Sequence, residues 1–265
     1  MKRLRDKVAV VTGAARGIGY GIARKFVDEG AFVIIADILD EGQESANKLG
    51  NMAAFYKIDL IDRNAIFKMS DFVIKKYKKI DILINCAGVA LPKPTLYITE
   101  NELERVIAIN LKAPFYCCQA FGKYMIEQGS GSIVNISSGN SKMINVGRTP
   151  YGITKGGINL LTKQLGAEWS MYGVKCNAIA PGWIETEMVK KPISKGILNS
   201  GDILSVSPIR RFGKVEEIAN LATFLSSDES NYIVGQVIFA DGGRSLGIMP
   251  DALDFVEEYK EEKIQ

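Results

Sequence analysis

One segment near the start of the chain, VAVVTGAARGIG beginning at Val8, constrains the fold more than any other. Its apolar run predicts a strand that is buried on both faces, as strands of parallel sheets are. Gly13 allows a sharp turn after the strand, and Gly17 and Gly19 allow the backbone to approach a pyrophosphate without Cβ clashes. The helix expected from Gly17 would direct free N–H groups at that anion. The segment therefore predicts a dinucleotide-binding site, and a glycine-rich turn without a ligand is the alternative.

Strand-like and helix-like segments alternate along the rest of the chain. The predicted strands are residues 8–12, 32–37, 53–59, 80–85, 132–137, 174–180 and 236–240. The predicted helices are residues 17–29, 41–49, 63–78, 100–128, 151–172 and 215–226. This alternation indicates an α/β fold in which residues 1–265 form a single doubly wound, Rossmann-type domain. We expect about seven parallel strands, with helices on both faces of the sheet.

The helix predicted over residues 100–128 carries two local signals. Thr99 can cap its N-terminus, and Glu102 can complete a capping box. Pro114 predicts a kink, or a boundary between two helices, near its position. Further along, residues 185–207 combine glycine, proline and mixed polarity, and we expect a mobile loop or short helices there that cover a substrate.

Charge and hydropathy limit the function classes. The 33 basic and 30 acidic residues are dispersed, so neither nucleic acid nor a membrane is an expected partner. The apolar run after the N-terminal charges is too short for a signal peptide, and no segment approaches the roughly 20 apolar residues of a membrane span. We therefore expect a cytoplasmic protein. Its C-terminal tail, residues 244–265, is acidic from residue 251 and is expected to be an exposed helix or disordered.

The chain contains no histidine, which limits its chemistry sharply. Ser-His-Asp and Cys-His catalysis, histidine general bases and His-ligated zinc are all excluded. The cysteines at positions 86, 117, 118 and 176 form no C-x-x-C pair, so neither a metal site nor a disulfide framework is expected. Acid–base chemistry must therefore use Tyr, Lys, Asp, Glu or Cys.

An aspartate follows the second predicted strand. Asp37 stands 18 residues beyond Gly19, close to the spacing at which a carboxylate accepts hydrogen bonds from the adenosine ribose. That carboxylate would repel the 2′-phosphate of NADP, whereas Arg16 in the glycine turn would attract it. An exposed arginine costs nothing with NAD, so the sequence favours NAD and leaves NADP as the alternative. A strand-end or helix-capping aspartate is the structural alternative for Asp37.

Tyr151 and Lys155 stand four residues apart, which places both on one face of a predicted helix. A free phenol, with a pKa of about 10, is a poor base at neutral pH. A neighbouring ammonium stabilises the phenolate, so such a pair could exchange a proton with an alcohol or a carbonyl oxygen. The same spacing is common between ordinary surface neighbours, and the surrounding motifs therefore decide its meaning.

Taken in order, these motifs resemble those of the classical short-chain dehydrogenase/reductase family. Thr-Gly-x-x-x-Gly-x-Gly from Thr12 resembles its phosphate-binding turn, and Tyr-x-x-x-Lys resembles its catalytic pair. Residues 85–88, Asn-Cys-Ala-Gly, resemble its Asn-Asn-Ala-Gly turn, with Cys86 as a departure that loses an amide side chain. Residues 181–186 and 241–243 resemble the segment after the sixth strand and the closing turn. The match runs from about residue 4 to residue 243.

The resemblance implies roles for further residues. Ser138, 13 residues before Tyr151, takes the place of the substrate-orienting serine in preference to Ser137. Asn110 would help hold a water that links the lysine to solvent in a proton relay. The alternatives are a strand-end turn residue for Ser138 and a backbone-bonded amide for Asn110. The implied cofactor-binding residues are Gly13, Arg16, Gly17, Ile18, Gly19, Asp37, Asp59, Leu60, Asn85, Ala87, Gly88, Tyr151, Lys155, Pro181, Gly182, Ile184 and Thr186.

The activity that the resemblance implies is hydride transfer between NAD(P) and a small secondary alcohol or ketone. Tyr151 would be the acid–base residue, Lys155 would assist it and bind the nicotinamide ribose, and Ser138 would polarise the substrate oxygen. The helices predicted over residues 100–128 and 151–172 are those that pair in the family, so a homotetramer is expected by analogy.

The substrate stays open between several classes. The residues that could line a pocket for a sugar or polyol are Asn140, Asn145, Arg148 and Glu185. Leu91, Trp183 and Met188 could equally make it apolar, for a steroid-like or cyclic alcohol. A 3-oxoacyl-[acyl-carrier-protein] reductase has a similar pattern, but such enzymes tend to use NADPH and basic residues beside the active-site mouth. At the corresponding positions this chain has Glu-Gln at 127–128 and Met-Tyr at 171–172. An NAD(H)-binding regulatory protein is the non-enzyme alternative, and the complete catalytic set argues against it.

Overall fold

The computed structural model of the chain describes residues 2–196 and 199–247. The strands in these ranges are β1 (Val8–Thr12), β2 (Phe32–Asp37), β3 (Ala53–Lys57), β4 (Ile82–Asn85), β5 (Gly131–Ile136), β6 (Val174–Pro181) and β7 (Val237–Ala240). The helices are α1 (Gly17–Asp28), α2 (Glu41–Lys48), α3 (Arg63–Tyr77), α4 (Glu100–Ile107), α5 (Ala113–Gln128), α6 (Thr149–Trp169), α7 (Glu187–Ser194), α8 (Ser200–Ser205) and α9 (Val215–Ser226). The predicted alternation of strands and helices is confirmed.

The strands of the described ranges form one seven-stranded parallel sheet in the order β3-β2-β1-β4-β5-β6-β7. Val10 of β1 pairs with Ile34 of β2 on one side and with Leu83 of β4 on the other. The chain crosses from β3 at one edge back to β4 beside β1, so the direction of winding reverses there. In doubly wound sheets, ligands bind at the carboxyl ends of the strands beside this reversal. The topology therefore places a candidate crevice at the ends of β1 and β4.

Helices bury the sheet on both faces. Phe26 of α1 shares one core with Ile218 and Leu225 of α9. Met69 of α3 shares the other with Phe121 of α5. Each buried side chain of this kind contributes about 1.5–3 kcal/mol by leaving water. Because the central strands are covered on both sides, their sequences are nearly continuous apolar runs.

Two strand bounds differ from the predicted ones by two residues, and the others agree to within one residue. β3 ends at Lys57 rather than at residue 59, because its partner β2 ends at Asp37, the residue opposite Lys57. β4 begins at Ile82 rather than at residue 80, and just before it the Asp81 carboxylate accepts the Val8 N–H at 2.7 Å. The ends of a strand depend on its neighbours in the sheet, which the local apolar pattern does not record.

The helix predicted over residues 100–128 is divided. α4 is followed by one π-helical turn over Ala108–Lys112, and α5 begins at Ala113. Thr99 and Glu102 form the predicted capping box. The boundary predicted from Pro114 is also confirmed, since this proline lies in the first turn of α5. A proline removes an N–H from the helical ladder, and a π-helical turn accommodates the break.

The segment between β6 and α9 contains short helices. α7 and α8 lie within residues 185–207, and Asn199 caps α8 by accepting the Gly201 N–H at 2.9 Å. The acidic tail predicted from residue 251 lies outside the described residues. Within those residues, no helix combines the length and the apolar character needed to cross a membrane.

An ion pair fastens the start of the chain to the end of α1. The Arg3 guanidinium donates to Glu29 Oε1 at 2.6 Å, and the Arg3 N–H donates to Oε2 at 3.1 Å. Lys25 lies 3.2 Å from the same carboxylate. The hydrogen bond from the Arg3 side chain is the main reason why the pKa of Glu29 is lowered to about 2, although burial opposes it. The pair holds the segment in which Leu4 is completely buried.

Replacing Glu29 with glutamine should lower the free energy of unfolding by about 1 kcal/mol at pH 7, because partly exposed, charge-assisted hydrogen bonds are lost. The folded-state pKa of about 2 lies below the ordinary value, so this stabilisation is present above about pH 4.3 and is lost as the pH falls toward 2. Urea unfolding of both proteins at pH 7 and at pH 3 measures the difference. A wild-type advantage that does not shrink at pH 3 would contradict this account.

Candidate active site

The turn after β1 packs directly against the turn after β4. Gly13 has a φ of +65°, and a Cβ there would lie 2.6 Å from the Cα of Ala87. A Cβ on Gly19 would collide with the carbonyl oxygen of Gly13. The Gly13 N–H donates to the Ala36 carbonyl at 2.8 Å, which extends the β1–β2 ladder into the turn. Both glycines are therefore required by packing inside the turn itself.

Thr12 joins these two turns, a role that the sequence does not reveal. Its hydroxyl accepts the N–H groups of Cys86 at 3.1 Å and Ala87 at 3.3 Å, and it donates to the Ile84 carbonyl at 3.3 Å. The side chain is 1% exposed. One buried hydroxyl thus fixes the backbone of residues 86–87 beside the glycine turn.

Gly17 differs from the other two glycines because a Cβ there would make only an ordinary van der Waals contact. Its φ is +62°, and the nearest atom to that Cβ would be Cγ2 of Thr186 at 4.0 Å. α1 begins at Gly17, and the residue before it, Arg16, makes no side-chain capping hydrogen bond. No side chain at Gly17 therefore obstructs the first N–H groups of α1, and such groups at a helix start bind phosphates well. Ile18 and Gly19 supply two of those N–H groups.

Asp37 ends β2 beside the glycine turn. Its Oδ2 accepts the Ala15 N–H at 2.9 Å, and its Oδ1 accepts the Leu39 N–H at 3.1 Å. Arg16 is exposed, and its guanidinium lies 3.9 Å from the carboxylate of Glu41. Two backbone donors fix the carboxylate at the position predicted for the adenosine ribose, whereas the exposed ion pair holds the arginine only weakly.

Lys155 is a buried ammonium beside a phenol. Its side chain in α6 is 4% exposed, and Nζ donates to the Ile136 carbonyl at the end of β5 at 2.7 Å. The same Nζ lies 5.6 Å from the centre of the Tyr151 ring. An ammonium has three donors, so two remain available for a ligand.

Asn110 lies in the π-helical turn and is completely buried. Its Oδ1 accepts the Val89 N–H, and its Nδ2 donates to the Val89 carbonyl, both at 2.9 Å. A Cβ on Gly88 would lie 3.4 Å from this Oδ1 and 3.7 Å from Nζ of Lys155. The amide therefore holds the backbone after β4 beside the buried ammonium.

The two serines after β5 have different surroundings. Ser137 is buried, and its hydroxyl donates to Oδ1 of Asn159 at 2.6 Å. Ser138 is half-buried, and its hydroxyl accepts the Asn140 N–H at 3.2 Å at the start of a short 3-10 turn. Because that contact does not use the hydroxyl proton, Ser138 can donate it to a substrate oxygen.

The turn after β4 carries the cysteine that departs from the family pattern. Burial raises the pKa of Cys86 to about 12, with Lys155 opposing the shift and Asp37 adding to it. The thiol is therefore neutral at physiological pH and is no nucleophile. The preceding Asn85 turns its amide inward and donates to Oδ1 of Asn135 at 2.8 Å. The Asn85 Nδ2 is therefore engaged inside the protein.

The remaining predicted cofactor residues lie after β3 and β6. Asp59 is exposed and its Oδ1 accepts the Ile61 N–H at 3.0 Å, while Leu60 is buried. Pro181 ends β6, and a Cβ on Gly182 would lie 2.8 Å from the Cα of Asp241 in the closing turn. Ile184 is buried and bridges to Gly213, and Thr186 immediately precedes α7.

A polar network joins Ser138 to the closing turn, and no local pattern predicts it. Asn140, whose N–H bonds Ser138, accepts a hydrogen bond from the side chain of Asn145. Asn145 in turn accepts one from Arg244 at 3.1 Å, across 99 residues of sequence. The Arg244 guanidinium also lies 5.7 Å from the centre of the Trp183 ring.

The structure corrects the position assigned to residues 127–128 and 171–172. These pairs lie at the C-terminal ends of α5 and α6, which run antiparallel to the strands. They therefore lie at the amino edge of the sheet, where the Gly131 N–H donates to the Gly173 carbonyl. Tyr151 lies at the opposite end of α6. Within one chain, the pairs are not beside the active-site mouth.

The chain is similar in sequence to known proteins over most of its length. A family model described as Enoyl-(Acyl carrier protein) reductase matches residues 13–245. A 3-oxoacyl-[acyl-carrier-protein] reductase of Thermotoga maritima is 40% identical over 91% of this chain and 98% of its own length. An NAD-dependent glycerol dehydrogenase of Listeria innocua is 36% identical over 92% of this chain and 95% of its own.

A solved structure is similar over nearly the whole chain. It is a gluconate 5-dehydrogenase from Burkholderia cenocepacia in complex with NADP and tartrate. The two folds have a TM-score of 0.88 and 31% sequence identity, over 93% of this chain and 99% of the other. The predicted seven-stranded Rossmann-type sheet is thus confirmed by its likeness to a solved dehydrogenase.

Replacing Gly13 with alanine should destabilise the protein more than the same change at Gly50. The two residues have similar φ angles, +65° and +71°, but a Cβ on Gly50 would meet nothing within 4 Å. Gly50→Ala therefore measures backbone strain alone, about 1–2 kcal/mol, whereas Gly13→Ala adds about 1–3 kcal/mol from the collision with Ala87. Denaturant unfolding measures both losses, and calorimetry should show weaker NAD binding only for Gly13→Ala. Equal losses would contradict the packing role of Gly13.

Proposed function

The chain belongs to the classical short-chain dehydrogenase/reductase family, and from that premise we propose that it is an NAD-dependent dehydrogenase of a polyhydroxylated secondary alcohol. The resemblance in its motifs is confirmed, and the chain is an oxidoreductase with an NAD(P)-binding Rossmann-type fold. The observation that carries the proposed chemistry is the buried Lys155 ammonium, bonded to the Ile136 carbonyl and 5.6 Å from the Tyr151 ring.

Several residues fit the bound dinucleotide. Gly17 and the first N–H groups of α1 would hold the pyrophosphate, and Asp37 would accept hydrogen bonds from the adenosine ribose. The backbone of Ile184 and the hydroxyl of Thr186 would hold the nicotinamide carboxamide. NAD⁺ supplies a hydride acceptor at C4 of its nicotinamide when it is bound there.

The proton side of the reaction belongs to the chain itself. The Tyr151 phenolate takes the hydroxyl proton of the alcohol while the carbinol carbon gives up its hydride, so one alcohol yields one ketone, one proton and one hydride, which the oxidised nicotinamide accepts. Lys155 stabilises the phenolate, and its two remaining N–H groups bind ribose hydroxyls. Ser138 donates its hydroxyl proton to the substrate oxygen. Asn110 positions the backbone beside Lys155 and would support the water of a proton relay.

Two observations support NAD over NADP. Asp37 is held by two backbone donors and is 9% exposed, so it cannot move away from an added 2′-phosphate without breaking these bonds. Arg16, which would attract that phosphate, faces Glu41 instead. The glycerol dehydrogenase relative uses NAD, while the gluconate dehydrogenase structure contains NADP. The preference for NAD that we propose for this chain therefore rests on the Asp37 carboxylate.

The polar residues Asn140 and Asn145, which are linked to Ser138, support a polyhydroxylated substrate. The backbone N–H of Asn140 bonds the Ser138 hydroxyl, and the side-chain amides of Asn140 and Asn145 bond each other; amides both donate to and accept from hydroxyl groups. The relatives that act on glycerol and gluconate are consistent with this choice. A 3-oxoacyl-[acyl-carrier-protein] reductase is the second candidate, favoured by the 40% identical relative.

We also propose a cytoplasmic homotetramer. Phe115 on α5 and Ile153 and Leu160 on α6 are exposed apolar side chains, which a second copy of the chain could cover. The four cysteines are free thiols, as in a reducing compartment.

Replacing Tyr151 with phenylalanine should leave NAD affinity within about twofold and lower kcat by about 100-fold or more, because only the acid–base group is removed. Calorimetry measures NAD affinity, and absorbance of reduced nicotinamide measures turnover. Sugars, polyols, cyclic alcohols and β-ketoacyl thioesters, each with NAD(H) and NADP(H), form the substrate panel. Tyr172→Phe, at the opposite edge of the sheet, is the matched control and should behave as wild type. Undiminished turnover by Tyr151→Phe would overturn the assignment.

Replacing Asp37 with asparagine should raise kcat/KM for NADP relative to NAD by about tenfold or more, because a carboxylate that repels the 2′-phosphate is lost. Asp40→Asn is the control: it makes the same charge change three residues away, on a side chain that is 82% exposed. Steady-state kinetics with both cofactors gives the ratio for each protein. An unchanged ratio in Asp37→Asn would show that Asp37 does not select the cofactor.

A further inference from the structure

We propose that Arg244 binds a carboxylate of the substrate, so that the preferred substrate is a hydroxy acid rather than a neutral polyol. The inference rests on the proposed function and narrows it to one substrate class.

Arg244 is a half-buried cation without an anionic partner. Across residues 2–196 and 199–247, no carboxylate forms an ion pair with it, and its one side-chain hydrogen bond goes to the neutral amide of Asn145. Asp241 is nearby, but its carboxylate already accepts the N–H groups of Gly243 at 3.0 Å and Ser245 at 2.8 Å. Burial lowers the pKa of Arg244, and Asp241 only partly opposes this. A partly desolvated guanidinium with unused donors is a ready site for an anion.

A second arginine, Arg211, has the carboxylate partner that Arg244 lacks among the described residues. Arg211 lines the same cavity of about 230 Å³ as Arg244. Its two terminal nitrogens donate to the two carboxylate oxygens of Glu217, at 2.9 and 2.6 Å. This bidentate pair is what an arginine forms when a carboxylate is available. Arg244 lacks such a partner within the described chain, although it lies in the same part of the fold.

The position of Arg244 connects it to the reacting end of the substrate. Arg244 bonds Asn145, Asn145 bonds Asn140, and the Asn140 N–H bonds the hydroxyl of Ser138. Two amide side chains therefore separate the guanidinium from the serine that would hold the substrate oxygen. A hydroxy acid could place its reacting hydroxyl at Ser138, its other hydroxyls against the amides and its carboxylate at Arg244.

The neighbours of Arg244 suit a carboxylate at this place. Asn145 occupies one terminal nitrogen and fixes the orientation of the planar group, which leaves its other donors for a ligand. The centre of the Trp183 ring lies 5.7 Å from the guanidinium, within the range of a cation–π contact. Arginine binds carboxylates with two parallel hydrogen bonds, so a preoriented guanidinium gains both affinity and geometric selectivity.

The test compares acids with their neutral counterparts. D-gluconate and D-sorbitol differ only in carrying a carboxylate or a hydroxymethyl group at C1, and D-glycerate and glycerol differ in the same way. In Arg244→Gln we expect kcat/KM for the preferred acid to fall about 30-fold, mainly through KM, because a charge-assisted contact is lost. The value for the matched polyol should stay within about twofold. Arg244→Lys keeps the positive charge but loses the planar guanidinium that can donate two parallel hydrogen bonds, so its loss of kcat/KM for the acid should be intermediate.

Arg211→Gln is the matched control. It removes an equally large cation from the same cavity, but one already paired with Glu217, so it should change kcat/KM for acid and polyol by the same factor. Calorimetric binding of each acid to the protein–NAD complex provides a readout that needs no turnover. Wild-type binding of an acid that is lost in Arg244→Gln supports the proposal, with NAD affinity and the melting temperature showing that the variant is folded.

The outcomes separate this inference from the proposed function. If the wild type has equal kcat/KM for an acid and its matched polyol, or if Arg244→Gln lowers both values by the same factor, Arg244 does not bind a substrate carboxylate. The dehydrogenase proposal still stands in either case. If neither acid binds the wild-type complex, the carboxylate site is overturned. If no alcohol of the substrate panel is oxidised by the wild type, the proposed function fails, while acid binding still tests Arg244.

Discussion

The contact between the turns after β1 and β4 is the constraint on which the rest of the site depends. Gly13 approaches Ala87 so closely that a Cβ has no room, and the buried Thr12 hydroxyl ties the two segments together. This contact sits where the direction of winding reverses, so the strands on either side of it open a crevice between their ends. The glycines therefore serve the packing of the protein as much as the approach of a ligand.

A second constraint is the burial of a positive charge. Nζ of Lys155 is held by the Ile136 carbonyl, and the backbone beside it is held by Asn110. Asn110 occupies the π-helical turn that precedes Pro114, so a break in a long helix coincides with the residue that supports the ammonium. π-Helical turns are frequent at functional sites, because they let one side chain leave the regular helical path.

The features predicted from the sequence are those with a local cause. Strands covered on both faces are apolar runs, and the break near Pro114 follows from a missing N–H. The end of β3 depended on where β2 ends, and the inward turn of the Asn85 amide depended on Asn135, which the fold brings beside it. Arg244 meets Asn145 across 99 residues, a pairing that no spacing rule contains. The contacts between polar side chains that are distant in sequence could not be predicted from the sequence and were found only in the structure.

Thr186 contributes to two parts of the molecule. It faces the Cβ position of Gly17 at the glycine turn, and it is the residue from which α7 starts. One side chain thus belongs both to the surroundings of the glycine turn and to the start of α7, so a substitution at Thr186 changes both places together.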